Sequence, residues 1–394
     1  MTMTHRVLDV FIAFLKLGLT SFGGPVAHIG YFHKDFVERR QWLNEQQFAQ
    51  LLGLCQLLPG PASSQLGFCL GLMRAGWLGA LAAFAAFTLP SVLLLLGFAV
   101  ILPQLSNTVG QAALHGLKIV AFAIVTDAVI GMYSKLCPDR HRAGMAIASA
   151  VVVLFLGSVW GQLIVIAAGG IAGYFLCNSQ NNPGYSLPVQ FRKKTGAILL
   201  AIFSGLFFIL PMLAGMNGGI VWLADTFFRV GALVFGGGHV VLPLLENAVV
   251  APGLLTQEAF LAGYGASQAI PGPLFSIAAY IGALVAPEGY MWLGAIAAVA
   301  AIFLPGFLLI AGVLPFWKHL GQFNAVNNVF AGVNAVVVGL LGAALYNPVF
   351  TSAIVGTVDM AIGLVAIAAL RVWRLPPLLV VIGCVSATLL NVVI

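Results

Sequence analysis

The sequence predicts an all-α polytopic membrane protein built from two inverted-topology repeats with broken or re-entrant helical hairpins. Three observations predict it: a composition too apolar for a water-facing surface, an internal duplication, and a reversal of loop charge between the two copies.

The 394-residue chain is 61% hydrophobic and 7% charged, whereas a soluble domain carries about 25% charged residues. Apolar runs recur at Trp77–Leu102, Ala143–Cys177, Ala197–Leu213, Met291–Val313, Ala353–Leu370 and Leu378–Ile394. A bilayer crossing takes about 20 residues, so each run supplies one crossing and Ala143–Cys177 supplies two. The formal charge of +6 comes from Lys and Arg spread along loops, with no basic stripe and no interleaved aromatics. It therefore reads as topology-setting charge, and no nucleic-acid partner is expected. At the N-terminus Lys16 interrupts the first apolar stretch and no A-x-A site follows, so the segment is expected to be retained rather than cleaved. The five cysteines show neither C-x-x-C nor metal spacing, so free thiols, no metal and no cofactor are expected.

The duplication is read by direct comparison. "FLKLGLTSFGG" (Phe14–Gly24) aligns with "FFRVGALVFGG" (Phe227–Gly237), with Lys16 matched by Arg229. "LNEQQF" at Leu43 aligns with "LTQEAF" at Leu255, and "QLLPGP" (Gln56–Pro61) with "QAIPGP" (Gln268–Pro273). "WLGA" recurs at Trp77 and Trp292, "TLP" at Thr88 answers "FLP" at Phe303, and "ILP" at Ile101 answers "VLP" at Val313. The expected organisation is a first repeat over 1–177, a cytoplasmic linker over 178–194, a connecting crossing over 195–217, and a second repeat over 218–394.

Loop charge sets the direction of each copy. The loop His33–Glu45 holds Lys34, Arg39 and Arg40, and its counterpart from Glu246 holds no Lys or Arg. "KLCPDRHR" (Lys135–Arg142) is answered by the uncharged Tyr346–Ser352. The bias then reverses: "LPQLSNTVG" is uncharged and its partner carries Lys318, while Gly157–Gln162 is uncharged and its partner region carries Arg371 and Arg374. Positive loops lie on the cytoplasmic side, so the copies face opposite ways, the architecture of secondary transporters. Full crossings are expected near 76–102, 112–133, 143–158, 161–177, 195–217, 289–314, 322–345, 352–370 and 376–394. The segments around the Gly and P-G-P breaks then enter and leave on one side, as hairpins.

Irregular backbone in a membrane persists only where protein buries it or a cavity hydrates it. The breaks at Phe22, Gly23 and Gly24, at Phe235, Gly236 and Gly237, at Pro59, Gly60 and Pro61, and at Pro271, Gly272 and Pro273 therefore point inward. Pro61 and Pro273 suit the first position of a helix. Ser63, Ser64 and Ser276 follow them with hydroxyls, beside free N–H groups able to bind an oxyanion. Lys16 and Arg229, each six residues before its Phe, are candidate neutralising charges, with Asp9 and Asp225 as alternative partners for them. Gln56 and Gln268 are candidate amide donors. Lys118, aligned with Asn334, and Asp127 are candidates for the pathway or for coupling. His28 and His239 follow the Gly breaks without aligning, and read as packing or hydrogen-bonding residues.

The stretch from Leu15 to Gly67, "LKLGLTSFGGPVAHIGYFHKDFVERRQWLNEQQFAQLLGLCQLLPGPASSQLG", resembles the signature of the chromate ion transporter (CHR) family, and the second-copy pattern resembles that of its long, two-domain members. The resemblance implies a multi-pass carrier of the bacterial inner membrane that expels chromate and confers chromate resistance, with sulfate as an isostructural substrate. It places functional weight on Phe22–Pro25, Pro59–Pro61, Phe235–Gly237 and Pro271–Pro273. One departure is visible: Gly238 stands where the first copy has Pro25.

The expected activity is alternating-access export of a tetrahedral dianion bound between the hairpins. The bilayer and the anion are the expected partners, and a homodimer is compatible with the sequence. The alternatives are a sulfate or related oxyanion importer or exchanger on the same scaffold, and, with less support, an intramembrane enzyme. No G-x-x-x-x-G-K-[ST], paired cysteines or H-x-x-x-H is present, so no enzymatic activity is expected.

Overall fold

The structure, a computed structural model, describes residues 3–156, 159–177, 191–215, 219–235, 237–317 and 324–393. The described residues are helical, and five helices are long and apolar enough to cross a membrane. Most of the expected linker 178–194, together with Gly236 and Lys318, lies outside the described residues.

The first repeat opens with α1 (Met3–Thr20), which stops at the Gly-rich break, followed by α2 (Gly24–Phe32) and a π-helical turn His33–Arg39. This segment comes back: Arg40 Nη1 donates to Asp9 Oδ1 at 2.8 Å, and the Phe36 ring stacks on Phe14 with centroids 4.9 Å apart. The return places Arg40 level with the second turn of α1, so the pair is a hairpin with both ends on one side. Helix α3 (Glu45–Leu57) starts at a capping box, in which Asn44 Oδ1 accepts from Gln47 N and the Gln47 side chain accepts from Asn44 N. It ends at Pro59-Gly60-Pro61. Helix α4 (Ala62–Ile101) reverses at Ala75 and at Gly76 (φ +67°), so its first limb completes a second hairpin and its second limb crosses. Arg74, at the end of that first limb, donates to Asp9 and lies 5.1 Å from the Trp42 ring, with Arg40 5.6 Å from the same ring. All four hairpin ends thus meet in one charged and aromatic cluster. Beside it, Glu45 accepts from His33 and holds that imidazole's pKa above its ordinary value.

Three more helices complete the first repeat: α5 (Thr108–Leu136), α6 (Arg140–Leu156) and α7 (Val159–Leu176). Helix α8 (Lys193–Ala214) is the connecting crossing, and it packs on the outside against α9 and α13.

The second repeat repeats the order. Its hairpin pairs are α9 (Ile220–Leu233) with α10 (Val241–Val249), and α11 (Gln257–Ala269) with α12 (Ile277–Val285). Its remaining helices are α13 (Met291–Val313), α14 (Asn324–Ala344), α15 (Thr357–Arg371) and α16 (Pro377–Val393), of which α13 and α14 are long and apolar enough to cross. Thr256 caps α11 as Asn44 caps α3, and Tyr280 on α12 donates to Ala259 O at 2.7 Å, closing the hairpin. The expected crossing near 352–370 starts late. Leu345–Phe350 forms a π-helical turn around Pro348, a single α-helical turn Thr351–Ala353 follows, and the longer helix starts at Thr357, where Asp359 accepts from Gly356 N.

The repeats interlock. Helix α5 of the first packs on α11, α15 and α16 of the second, whereas α14 of the second packs on α6 and α7 of the first. Gly173 and Gly169 of α7 lie directly against Gly332 and Val336 of α14, and Ser149 of α6 donates to Val336 O at 2.9 Å. Small residues let the helix backbones approach where lipid supplies no hydrophobic drive.

Candidate functional site

The breaks meet at the centre of this exchange, and each is held by the other repeat. Gly60 N of the first P-G-P donates to Val234 O, just before the second Gly-rich break, at 2.8 Å. Gly272 N of the second P-G-P donates to Ser21 O, just before the first Gly-rich break, at 3.1 Å. Ser21 and Val234 are equivalent in the alignment, so the two bonds are one interaction made twice about a pseudo-two-fold axis. Gly60 (φ +126°) and Gly272 (φ +105°) hold backbone that other residues adopt only with strain. A Cβ at Gly60 would also stand 2.9 Å from Gly306 Cα, and one at Gly272 2.9 Å from Ser91 Oγ. Gly306 and Ser91 each follow the proline inside a crossing helix, Pro305 in α13 and Pro90 in α4.

Direct side-chain bonds fasten the same junction. Gln65 Nε2 donates to Pro59 O at 2.9 Å and to Gly306 O at 3.0 Å. Ser91 donates to Thr88 O at 2.8 Å and lies 2.6 Å from Ser276 Oγ, which is left to donate to it. His28 Nε2 stands 3.2 Å from Ser21 O, its ring edge-on to Phe87. Other polar atoms are buried without any partner: Ser21 Oγ, Ser64 Oγ, Thr88 Oγ1 and Gln268 Nε2, all able to donate, together with Gln65 Oε1 and His28 Nδ1. Burying such a group unpaired costs about 1–3 kcal/mol. The N–H groups of Ala62, Ser63 and Ser64, in the first turn of α4 after its N-cap Pro61, add donors at the positive end of a helix.

The junction accounts for Gly238 standing where the first copy has Pro25. Gly238 lies where a Cβ would be 2.8 Å from Pro25 Cγ. The aligned positions face each other across the axis, and there is room for one ring.

The other expected site residues are sorted by the fold. Phe22, Gly23, Gly24, Phe235 and Gly237 are half-buried, and Pro59, Pro61, Ser63, Pro271, Pro273 and Ser276 are buried. Lys16 and Arg229 do not stay a pair. Lys16 is exposed, outside the stripe through which α1 packs on α4, while Arg229 Nε donates to Asp225 at 2.9 Å and its guanidinium lies over Phe207. Neither bonds to a break residue among the described residues, and Asp9 serves Arg40 and Arg74 instead of Lys16. Asp127 pairs with Arg371 at 3.0 Å and is partly exposed. Lys118, half-buried in α5, bonds to no carboxylate, and among the described residues every other lysine is exposed. Asn334 Oδ1, its counterpart, has no partner. Sequence reasoning missed Gln65, Thr88, Ser91 and Ser21; the aligned "TLP" and "FLP" carried the signal for Ser91 and Gly306.

Gln56 and Gln268 also part, and with them the whole symmetry of packing. Gln268 is buried and Gln56 exposed. Gly53 and Gly265 are equivalent by the spacing of the aligned segments. Gly265 lies directly on the backbone of Leu117 in α5, whereas nothing stands within 4 Å of a Cβ at Gly53. Helix α11 is closed onto α5, while α3 stands off from α14.

Comparison with known proteins agrees with this architecture. The chromate transporter family matches in two regions, residues 8–174 and 221–389, one for each repeat. A probable chromate transport protein of Synechococcus elongatus is 29% identical over 95% of this chain and 93% of its own length. Chromate transport proteins of Pseudomonas aeruginosa and Cupriavidus metallidurans are each 28% identical, over 85% and 87% of this chain and 79% and 82% of their own lengths. No solved structure matches. With the match running through both repeats and every break that forms the junction, the chain belongs to the chromate transporter family.

Proposed function

We propose that this protein exports chromate across the bacterial inner membrane by alternating access, the dianion bound at the junction of the breaks. The observation that carries the reading is the broken symmetry of two equivalent halves: Gly265 is sealed on Leu117 while Gly53 faces open space. Inverted repeats that pack in two different ways supply both states of a carrier, because exchanging their packings turns the opening to the other side. The basic loop before α3 belongs on the cytoplasmic side, so the gap along α3 opens inward. A dianion entering there meets the N-terminus of α4, the Ser64 and Gln268 donors, and Lys118, which is half-buried and bonds to no carboxylate among the described residues. Lys16 and Arg229 act outside this site. The membrane potential favours anion exit by about 2.3 kcal/mol per charge per 100 mV, twice that for a dianion moving alone.

Flux of labelled chromate and sulfate in proteoliposomes, with gradients imposed in each direction, tests the reading. Saturable chromate flux that Lys118→Gln reduces about tenfold or more is expected, in line with loss of one charge-assisted contact. Flux of neither anion would overturn the reading, and sulfate movement without chromate would favour a sulfate carrier.

A further inference from the structure

The chain has eleven acidic residues, and eight of them pair with Arg or His. Glu258 and Glu288 are exposed. Glu246, in the last turns of α10, is the remaining one: half-buried and, among the described residues, without a cationic partner. It lines a cavity of about 200 Å³ at the place where α10 ends, α11 begins, α7 begins and α14 ends. The cavity's other polar walls are Gln162, Asn247, Gln257 and Asn347, and no Lys, Arg or His lines it. Gln162 is only 3% exposed, yet its Oε1 has no hydrogen-bond partner. Asn247 donates from Nδ2 to Pro243 O at 3.0 Å, and its Oδ1 accepts no hydrogen bond among the described residues. The titratable groups on the neighbouring elements, Asp225 and Arg229 of α9, His239 before α10, Arg140, His141 and Arg142 of α6, Tyr174 of α7, Glu258 and Tyr264 of α11, and Tyr346 of the π-helical turn, all lie outside the cavity lining.

The lining thus holds one carboxylate among neutral amides, with the Gln257 Nε2 also buried without a partner; the carboxylate and the amide oxygens of Gln162 and Asn247 are the hard oxygen donors that small cations take. One negative charge matches one positive charge. The inverted topology puts this cavity at the end opposite the gap along α3. We propose that it is the coupling-cation site of the carrier, where Glu246, with Gln162 and Asn247, takes up one monovalent cation, a proton or a sodium ion, from the side opposite to chromate. The coupling role rests on the transport reading above; the site itself does not.

The test uses the full chain in lipid nanodiscs and in proteoliposomes. Equilibrium binding of labelled sodium and the infrared carboxylic-acid C=O band across a pH step separate the two cations. One of these signals is expected, lost in Glu246→Gln, kept in Glu246→Asp and weakened in Gln162→Leu. Matching elution profiles report intact folding. A gradient of that same cation is expected to stimulate chromate flux about tenfold, a typical coupling factor, and this stimulation is lost in Glu246→Gln. Neither signal in the native protein, or a signal unchanged in Glu246→Gln, overturns the proposal. Chromate flux without a Glu246-dependent signal sinks the site and leaves the transport reading standing. A Glu246-dependent signal without flux does the reverse.

Discussion

At the scale of residues, the proposed anion site is lined by buried polar atoms that carry no partner. Gln268 and Gln56 align, yet the first is buried with Nε2 unpaired and the second is exposed. Replacing a buried unpaired amide by an apolar side chain of similar size removes a desolvation cost. Gln268→Leu is therefore expected to raise thermal stability by about 1 kcal/mol while reducing the extra stabilisation that added chromate confers. Gln56→Leu should move neither by more than about 0.5 kcal/mol. Thermal unfolding with and without the anion checks both, and the pairing fails if Gln268→Leu destabilises the protein or leaves the anion effect intact. That these two positions were candidates was legible in the sequence. Their different fates were not, because burial depends on what packs across from each.

At the scale of elements, the hairpins were readable because each leaves local marks: a Gly or Pro break, a capping residue, and loop charge that must return to its own side. The π-helical turn at Leu345–Phe350 was not readable, and it delays α15 to Thr357. The contact between α2 and the turn before α10 was not readable either, since Pro25 and Gly238 are far apart in sequence. A Cβ at Gly238 meets Pro25 Cγ at 2.8 Å, so Gly238→Ala should cost about 1–3 kcal/mol, the usual range for overpacking. Pro25→Gly should recover much of that loss, giving a coupling of about 1 kcal/mol or more in a double-mutant cycle. Additive effects of the two substitutions would mean that the elements do not meet as described.

For the whole molecule, the decisive feature is that two equivalent halves pack unequally. Gly53→Leu enters open space, so stability should hold in this conformation. The same side chain would block α3 from closing onto α14, and chromate turnover should drop about tenfold or more, as for a lost conformational step. Gly265→Leu meets the Leu117 backbone and should destabilise the protein outright. Unfolding and flux measured on the same preparations separate the cases. Unimpaired flux in Gly53→Leu would rule out closure at α3.

Membrane class, duplication, inversion and the position of every break were determined by the sequence alone, since each is carried by composition, order or the charge of a short segment. The tertiary structure alone decided that each P-G-P is held by the other repeat's Gly-rich break. It also decided that α11 is closed where α3 is open. These are contacts between segments about two hundred residues apart, and a choice between packings that one sequence supports twice; neither leaves a local mark to read.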